Sequence, residues 1–246
     1  MARRIGFLLA NVYQGASLAM WRSIASEAKK EKDSALFVFP GGRLRYSHGN
    51  EFLRNSIYDL ANSSSLDGAI IWASTLSGEV CTEEAEAFAR LKSLEMPVVA
   101  LGMPIEGCPS VNFDAYGGMK DEIRHLITVH GDRKIAFIRG PENHRSAEDR
   151  LEAYRDALAE AGIGFDPRLV SSPHAWADGR SAIAELTERR GLLPGQDFTA
   201  VAAASDMLLL SVVRYFEEIG VDIPERVHAA GFNDNEENML MAVEPT

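Results

Sequence analysis

The sequence predicts an α/β protein made of two similar doubly wound three-layer lobes, each with a parallel sheet, joined by a hinge. Three observations predict it. Short runs of almost wholly apolar residues recur along the chain. Longer amphipathic stretches separate them. The 246 residues are enough for two lobes of about 110–130 residues each.

The apolar runs fall at residues 5–10, 35–39, 68–72, 98–101, 134–138, 200–204 and 227–231. They lack the polar alternation of a half-exposed strand, which is the pattern of strands covered on both faces in a parallel sheet. Helical periodicity fills residues 16–30, 83–94, 118–129, 147–161, 179–190 and 206–219. Strand following helix following strand is the doubly wound pattern. Ser146 before Ala147-Glu148-Asp149 reads as a helix cap followed by carboxylates at the positive helix end. Gly162 and Gly220 read as helix stops. A hinge best falls near residues 110–115, where Val111-Asn112-Phe113 leads into Asp114 and the Gly117-Gly118 pair. The expected lobes are therefore 1–113 and 114–246.

Composition narrows the function. Hydrophobic residues make up 46% and charged residues 25% of the chain, as in ordinary globular proteins. The net charge of −11 argues against direct nucleic-acid binding, which needs a basic footprint. Cys81 and Cys108 have no metal-ligand spacing around them and read as two thiols or one disulfide. The run at 5–10 ends at Asn11 and is too short for a signal peptide core. No run approaches the ~18 apolar residues of a membrane span, so a cytoplasmic protein without membrane contact is expected.

The common reaction motifs are missing. The first strand is followed by Asn11-Val12-Tyr13-Gln14-Gly15, without the spaced glycines that wrap a pyrophosphate. No phosphate-binding Walker loop and no Gly-x-Ser-x-Gly elbow occurs. Histidines at 48, 125, 130, 144, 174 and 228 form no His-x-x-x-His pair. The five-residue spacing of His125 and His130 places them on different faces, as a surface residue and a helix-dipole partner. No catalytic residue, metal or cofactor is assigned, and the chain is expected not to be an enzyme.

Several segments in order resemble the lac-repressor/ribose-binding superfamily, the type I periplasmic-binding-protein-like fold. Val129-His130-Gly131-Asp132-Arg133-Lys134-Ile135-Ala136-Phe137-Ile138-Arg139-Gly140-Pro141 is similar to the helix end, strand and turn that open the family's second lobe. Ser146-x-x-x-Arg150-x-x-x-Tyr154 resembles the helix start that faces the ligand. Ala203-Ala204-Ser205-Asp206-Met207, Gly231-Phe232-Asn233-Asp234 and Glu244-Pro245-Thr246 resemble three later family turns. Phe39-Pro40-Gly41-Gly42 and Asn55-x-x-Tyr58-Asp59-Leu60 look closest to sensor domains fused ahead of signalling outputs. The resemblance implies a polar ligand at strand-end loops and helix N-termini, and a switch by lobe closure.

Carried over position by position, the resemblance gives a candidate ligand site. Tyr13 and Gln14 end the first strand and read either as ligand contacts or as an exposed turn. Trp72 and Ser74 end the third strand and line the first-lobe wall, unless Trp72 is core. Arg150 offers a planar fork for ligand hydroxyls or carboxylate, the alternative being an ion pair with Glu148 or Glu152. Trp176 offers an aromatic face for stacking or is core. Ser205 and Asn233 stand where the family has Asn and an acidic residue, and Ala115 stands where Asn often follows Asp114. These departures suggest a ligand unlike a simple pentose or hexose, or a site turned towards protein–protein signalling.

The first functional reading is a cytoplasmic sensor of a sugar-like or other polar metabolite, with a fused kinase or diguanylate cyclase as output. The alternative is the effector domain of a lac-repressor-type transcriptional regulator without its DNA-binding headpiece. A transport binding protein and an enzyme are weaker readings. The end at Glu244-Pro245-Thr246 reads as a cut that leaves out the segment returning to the first lobe. A homodimer is expected, with residues 16–30 and 48–62 as candidate faces.

Overall fold

The computed structural model describes residues 2–13, 16–44, 51–77 and 82–235. The chain divides into two compact units, Met1–Phe113 and Asp114–Thr246.

Among its described residues the first unit is built on five parallel strands. They are β1 (Arg3–Leu9), β2 (Ser34–Pro40), β3 (Gly68–Trp72), β4 (Val98–Leu101) and β5 (Ser110–Val111), in the order β2-β1-β3-β4-β5. The register pairs Ile5 with Leu36 and Gly68, Ala69 with Val98, and Ala100 with Ser110. The sheet separates two apolar layers. Phe7, Leu9, Trp72 and Leu101 face α1 (Ala16–Lys30) through Met20, Trp21 and Ile24. Leu8, Ala69, Ile71 and Ala100 face the other way. There they meet α2 (Ala73–Ser77), α3 (Thr82–Glu95) and a 3-10 stretch (Glu51–Leu60) through Leu76, Ala85, Ala89 and Tyr58. Strict alternation of side chains across a pleated strand makes this three-layer division.

The second unit has, among the described residues, three parallel strands in the order β6-β7-β8. These are β6 (Ile135–Ile138), β7 (Ala200–Ala203) and β8 (His228–Ala230), with Ile135 opposite Ala200 and Ala200 opposite His228. Every residue of β6 and β7 is buried. Around them lie α4 (Ala115–Thr128), α5 (Arg145–Glu160), α6 (Gly179–Ala184) and α7 (Asp206–Ile219). Phe137 stacks on Tyr154 of α5 at 4.8 Å between ring centres, and the Tyr154 hydroxyl donates to the Ile135 carbonyl at 2.9 Å. Helices α6 and α7 approach so closely that a Cβ on Gly179 would lie 2.1 Å from the Leu208 carbonyl oxygen. Only glycine fits there.

Helix ends differ from the sequence reading in instructive ways. Asp114 caps α4, its Oδ1 accepting from Gly117 N at 2.7 Å, so the helix starts three residues before the expected 118. Ser146 does not cap α5. His144 holds the cap position in extended backbone, and its carbonyl accepts from Ala147 N and Glu148 N. Gly220 ends α7 in left-handed geometry (φ 68°), the conformation a glycine stop supplies. The expected helix 179–190 is broken: α6 passes into a π-helical turn (Glu185–Arg189). There the Glu185 carboxylate accepts from Ser172 N and Oγ and pairs with Arg190, a tertiary pull that periodicity does not show.

Candidate ligand-binding site

The site is built at the carboxyl ends of β6, β7 and β8. Parallel strands bring their ends to one edge of the sheet, where loops and helix N-termini offer unpaired N–H groups. From β6 come Arg139 and Gly140; from β7, Ala204 and Ser205; from β8, Gly231, Phe232 and Asn233. Helix α5 delivers Arg150 into this edge.

Arg150 is the centre of the arrangement, with 7% of its surface exposed. Its Nη1 donates to the Ala204 carbonyl and its Nη2 to Asn233 Oδ1 at 3.3 Å. The guanidinium lies 3.8 Å over the Phe232 ring centre and 5.8 Å from that of Trp176. Nε is buried without a partner. Burial lowers the Arg150 pKa to about 10, opposed by the charges of Glu122, Asp206 and Asp149. It stays a cation at neutral pH. Such a cation, set against an aromatic face, gains more from the ring when water is excluded.

The surroundings balance that charge. Asp206, buried at the first turn of α7, accepts from Asn235 N at 2.7 Å. Glu122 on α4 ends in a buried Oε1 without a partner. Burial raises its pKa well above the usual carboxylate value, with the Arg150 charge acting the other way. His144 packs edge-on to Trp176 at 5.0 Å, and burial together with the Arg150 charge lowers its pKa to about 4. It is a neutral imidazole at physiological pH. Trp176 rests against Gly140, where an added Cβ would stand 2.7 Å from the indole. Asn233 has φ 114°, a strained backbone for a residue with a side chain.

The structure thus gathers Arg150, Trp176, Ser205 and Asn233 at one strand edge. Ser205 is the N-cap of α7, its Oγ accepting from Leu208 N at 3.3 Å, so its lone pair serves the helix while its proton is left for donation. The first-unit candidates are placed differently. Trp72 is core, 6.3 Å from the Phe7 ring and 6.4 Å from that of Phe113, with its indole N–H buried and unpaired. Ser74 is half-buried in α2, and its Oγ fills the space that a Cβ on Gly102 would need. Tyr13 is 61% exposed, its backbone N–H bonded to Asn11 Oδ1. Gln14 lies outside the described residues.

Phe232, Glu122 and His144 were not singled out in the sequence. Glu122 carries a signal: it falls on the apolar stripe of α4 formed by Met119, Ile123 and Leu126, where a carboxylate is out of place unless paired.

A parallel α/β lobe whose strand ends converge on a buried arginine between aromatic rings is a ligand-binding domain of periplasmic-binding-protein type. Comparison with known proteins names the family: residues 123–246 match the periplasmic binding protein-like domain, and the chain belongs to it. The chain is 36% identical to the helix-turn-helix transcriptional regulator CelR of Thermobifida fusca over 136 residues, 55% of this chain and 38% of that protein. It is 36% identical to GalR of Escherichia coli over 123 residues, 49% of this chain and 34% of that protein. The matches therefore span little more than a third of these curated relatives, both named as transcriptional regulators. A sugar-binding LacI-family regulator from E. coli, solved with phosphate, superimposes with TM-score 0.71 at 24% identity. That alignment covers 98% of this chain and 82% of that one and shows the shared fold. No described helix is long and apolar enough to cross a membrane.

Proposed function

We propose that the chain is the effector domain of a lac-repressor-type transcriptional regulator and that its second unit binds a sugar-like, hydroxyl-rich ligand. The observation that carries this reading is Arg150 held between Phe232 and Trp176 and bonded to Asn233. An aromatic face suits the apolar face of a sugar ring, and a planar guanidinium suits a pair of adjacent hydroxyls. Arg150 already faces the charges of Glu122, Asp206 and Asp149, which favours a neutral ligand over an anion.

The relatives favour this reading over a fused kinase or cyclase output, since those reported carry helix-turn-helix names. DNA contact is assigned to the regulator's headpiece, and the acidic chain itself supplies the effector side. Dimerisation and a cytoplasmic location belong to the same proposal. Tyr13, Gln14 and Ser74 remain part of the proposed ligand surface of the first unit, whereas Trp72 is taken up by the core.

Calorimetric titration against mono- and disaccharides, polyols and carboxylates tests the reading. Saturable binding of a neutral carbohydrate, lost in Trp176→Ala, is the expected result. Binding of carboxylates alone, or carbohydrate binding untouched by Trp176→Ala, would overturn it.

A further inference from the structure

Trp176 stands on a segment without helix or strand, residues 171–178, between the bridge of Val170 to Phe137 and the start of α6 at Gly179. Side chains must therefore fix its position. Ser171 Oγ accepts from Arg139 N at 3.0 Å. Ser172 donates from N and Oγ to the Glu185 carboxylate at 3.0 and 2.9 Å. Asp178 Oδ1 accepts from Ser181 N at 3.3 Å and so caps α6. Half-buried His174 stands between the two carboxylates. Its Nε2 lies 3.3 Å from Glu185 Oε2 and its Nδ1 lies 3.3 Å from Asp178 Oδ2. Two residues further on, the Trp176 ring faces Arg150 at 5.8 Å.

We propose that His174 is a positioning residue for Trp176 and makes the ligand edge sensitive to protons. Doubly protonated, its ring ties the segment to Glu185 and Asp178 at once; on losing one proton it gives up one tie and loosens Trp176. The proposal rests on the reading of Trp176 as part of the ligand site. An ionised carboxylate accepts hydrogen bonds and donates none, so only an imidazole with a proton on each nitrogen satisfies both contacts. A neutral ring turns one bare lone pair towards a carboxylate oxygen, which repels it. Both carboxylates are charged at neutral pH. Burial works against each, but hydrogen bonds from Arg190, Ser172 and His174 hold Glu185 down to about 2. Hydrogen bonds from Ser181 and His174 likewise lower Asp178 against its burial. Imidazoles change charge between about pH 5 and 8, within the physiological range.

The two ties are unequal. Glu185 is buried, and Arg190 Nη2 holds its other oxygen while Arg190 Nη1 donates to the carbonyls of Pro167, Arg168 and Val170. Asp178 is half-exposed and can turn to water, so the tie lost with the proton is the one to Asp178. The other charges around the segment are paired elsewhere: Arg139 with Glu148 at 3.1 Å, and Arg180 with Glu218 at 2.6 Å. Helix α7 contributes a neutral group, Ser211 Oγ, which donates to the Ala177 carbonyl at 3.4 Å. On the far side of Trp176, Arg150 stays a cation. His144 stays neutral above pH 5, because burial and the Arg150 charge lower its pKa to about 4.

The test reads Trp176 itself, in a chain carrying Trp21→Phe and Trp72→Phe. Fluorescence anisotropy is followed from about pH 5.5 to 8 without ligand, and the affinity for neutral mono- and disaccharides is then measured at both ends of that range. Two further variants are compared, with circular dichroism as a check of folding. His174→Gln does not titrate. Asp178→Asn still caps α6, and its amide donates to the bare nitrogen of a neutral ring. The anisotropy should fall as pH rises, and carbohydrate affinity should weaken roughly three- to tenfold, a part of what a hydrogen bond to a charged group contributes. Both responses should vanish in His174→Gln, and Asp178→Asn should keep the high anisotropy at pH 8. Equal anisotropy at both ends of the range in the parent chain would overturn the proposal, as would an unchanged pH response in His174→Gln. Anisotropy that titrates through His174 while no carbohydrate binds would support the strap and remove the carbohydrate reading.

Discussion

The two units differ in what they bury. Among the described residues, the first unit's buried polar side chains are Ser17 and Ser77, both uncharged. The second unit buries Asp132, Arg150, Glu185 and Asp206, besides Ser171, Ser205 and Asn235. Both rest on parallel sheets with apolar strands, so the sheet does not demand the charges. Moving a charge out of water costs several kcal/mol unless it is paired and hydrogen-bonded. The second unit meets that cost by giving each of the four a hydrogen-bond partner. Arg150 and Asp206 stand at the proposed ligand edge, Glu185 supports the segment leading to Trp176, and Asp132 bonds Thr199 and His228.

Truncation is the harshest way to probe that difference. Arg150→Ala removes a buried cation together with its hydrogen bonds to Ala204 and Asn233, and taking one member out of a buried charged cluster costs about 3–5 kcal/mol. Trp72→Phe in the first unit deletes an indole N–H that has no partner and keeps an aromatic ring in the core. It should cost less than about 1.5 kcal/mol, the usual bound for conservative core exchanges. Urea unfolding of both variants measures the pair; equal costs would erase the contrast between the units.

A gentler probe is acid. Burial pushes the Glu185 carboxyl up, but hydrogen bonds from Arg190, Ser172 and His174 outweigh it and hold the pKa at about 2. The folded value lies below the unfolded one. The resulting stability is therefore present above the ordinary carboxylate pKa near 4.5 and is lost as pH falls towards 2. Glu185→Gln should cost about 1.5–3 kcal/mol at pH 7, as expected for hydrogen bonds to a charged group. It should also flatten the acid side of the stability profile, read from unfolding midpoints between pH 2 and 7. A profile as steep as the wild type's would remove Glu185 from the account.

The smallest effect belongs to the surface. Arg180 and Glu218 form a close ion pair at 2.6 Å, but both are more than half exposed. Arg180→Ala should change stability by less than about 1 kcal/mol, and less still in high salt. A larger loss would mean that exposed pairs, and not the buried network, distinguish the second unit.

Much of this architecture is legible in the sequence, and the exceptions have physical causes. Runs at 68–72 and 98–101 coincide with β3 and β4, because strands largely covered on both faces are apolar nearly throughout, Val99 being the exposed position of β4. Strand β5 escapes the pattern: Ser110 and Val111 are both exposed on a sheet edge, and a two-residue strand is too short to give an apolar run. The π-helical turn at 185–189 and the cap of α5 depend on Ser172, Arg190 and the His144 backbone, partners that periodicity does not register. In the candidate site, Arg150, Trp176 and Asn233 come from the family resemblance carried over position by position, and the structure brings the three together. Phe232 and His144 join them only through packing. The approach of His125 Nε2 to 3.2 Å from His130 Nε2 depends on the turn after Val129, which a helical-wheel argument places wrongly.

The most direct measurement uses the tryptophans. The chain has three, Trp21, Trp72 and Trp176, and only Trp176 belongs to the second unit. A Trp21→Phe, Trp72→Phe variant makes Trp176 the sole indole reporter. Titration with neutral mono- and disaccharides should produce a saturable change in Trp176 emission, abolished when Asn233→Ala is added. A folded variant whose emission stays constant across the carbohydrates, while Asn233→Ala behaves identically, would contradict the assignment of this edge as the ligand site.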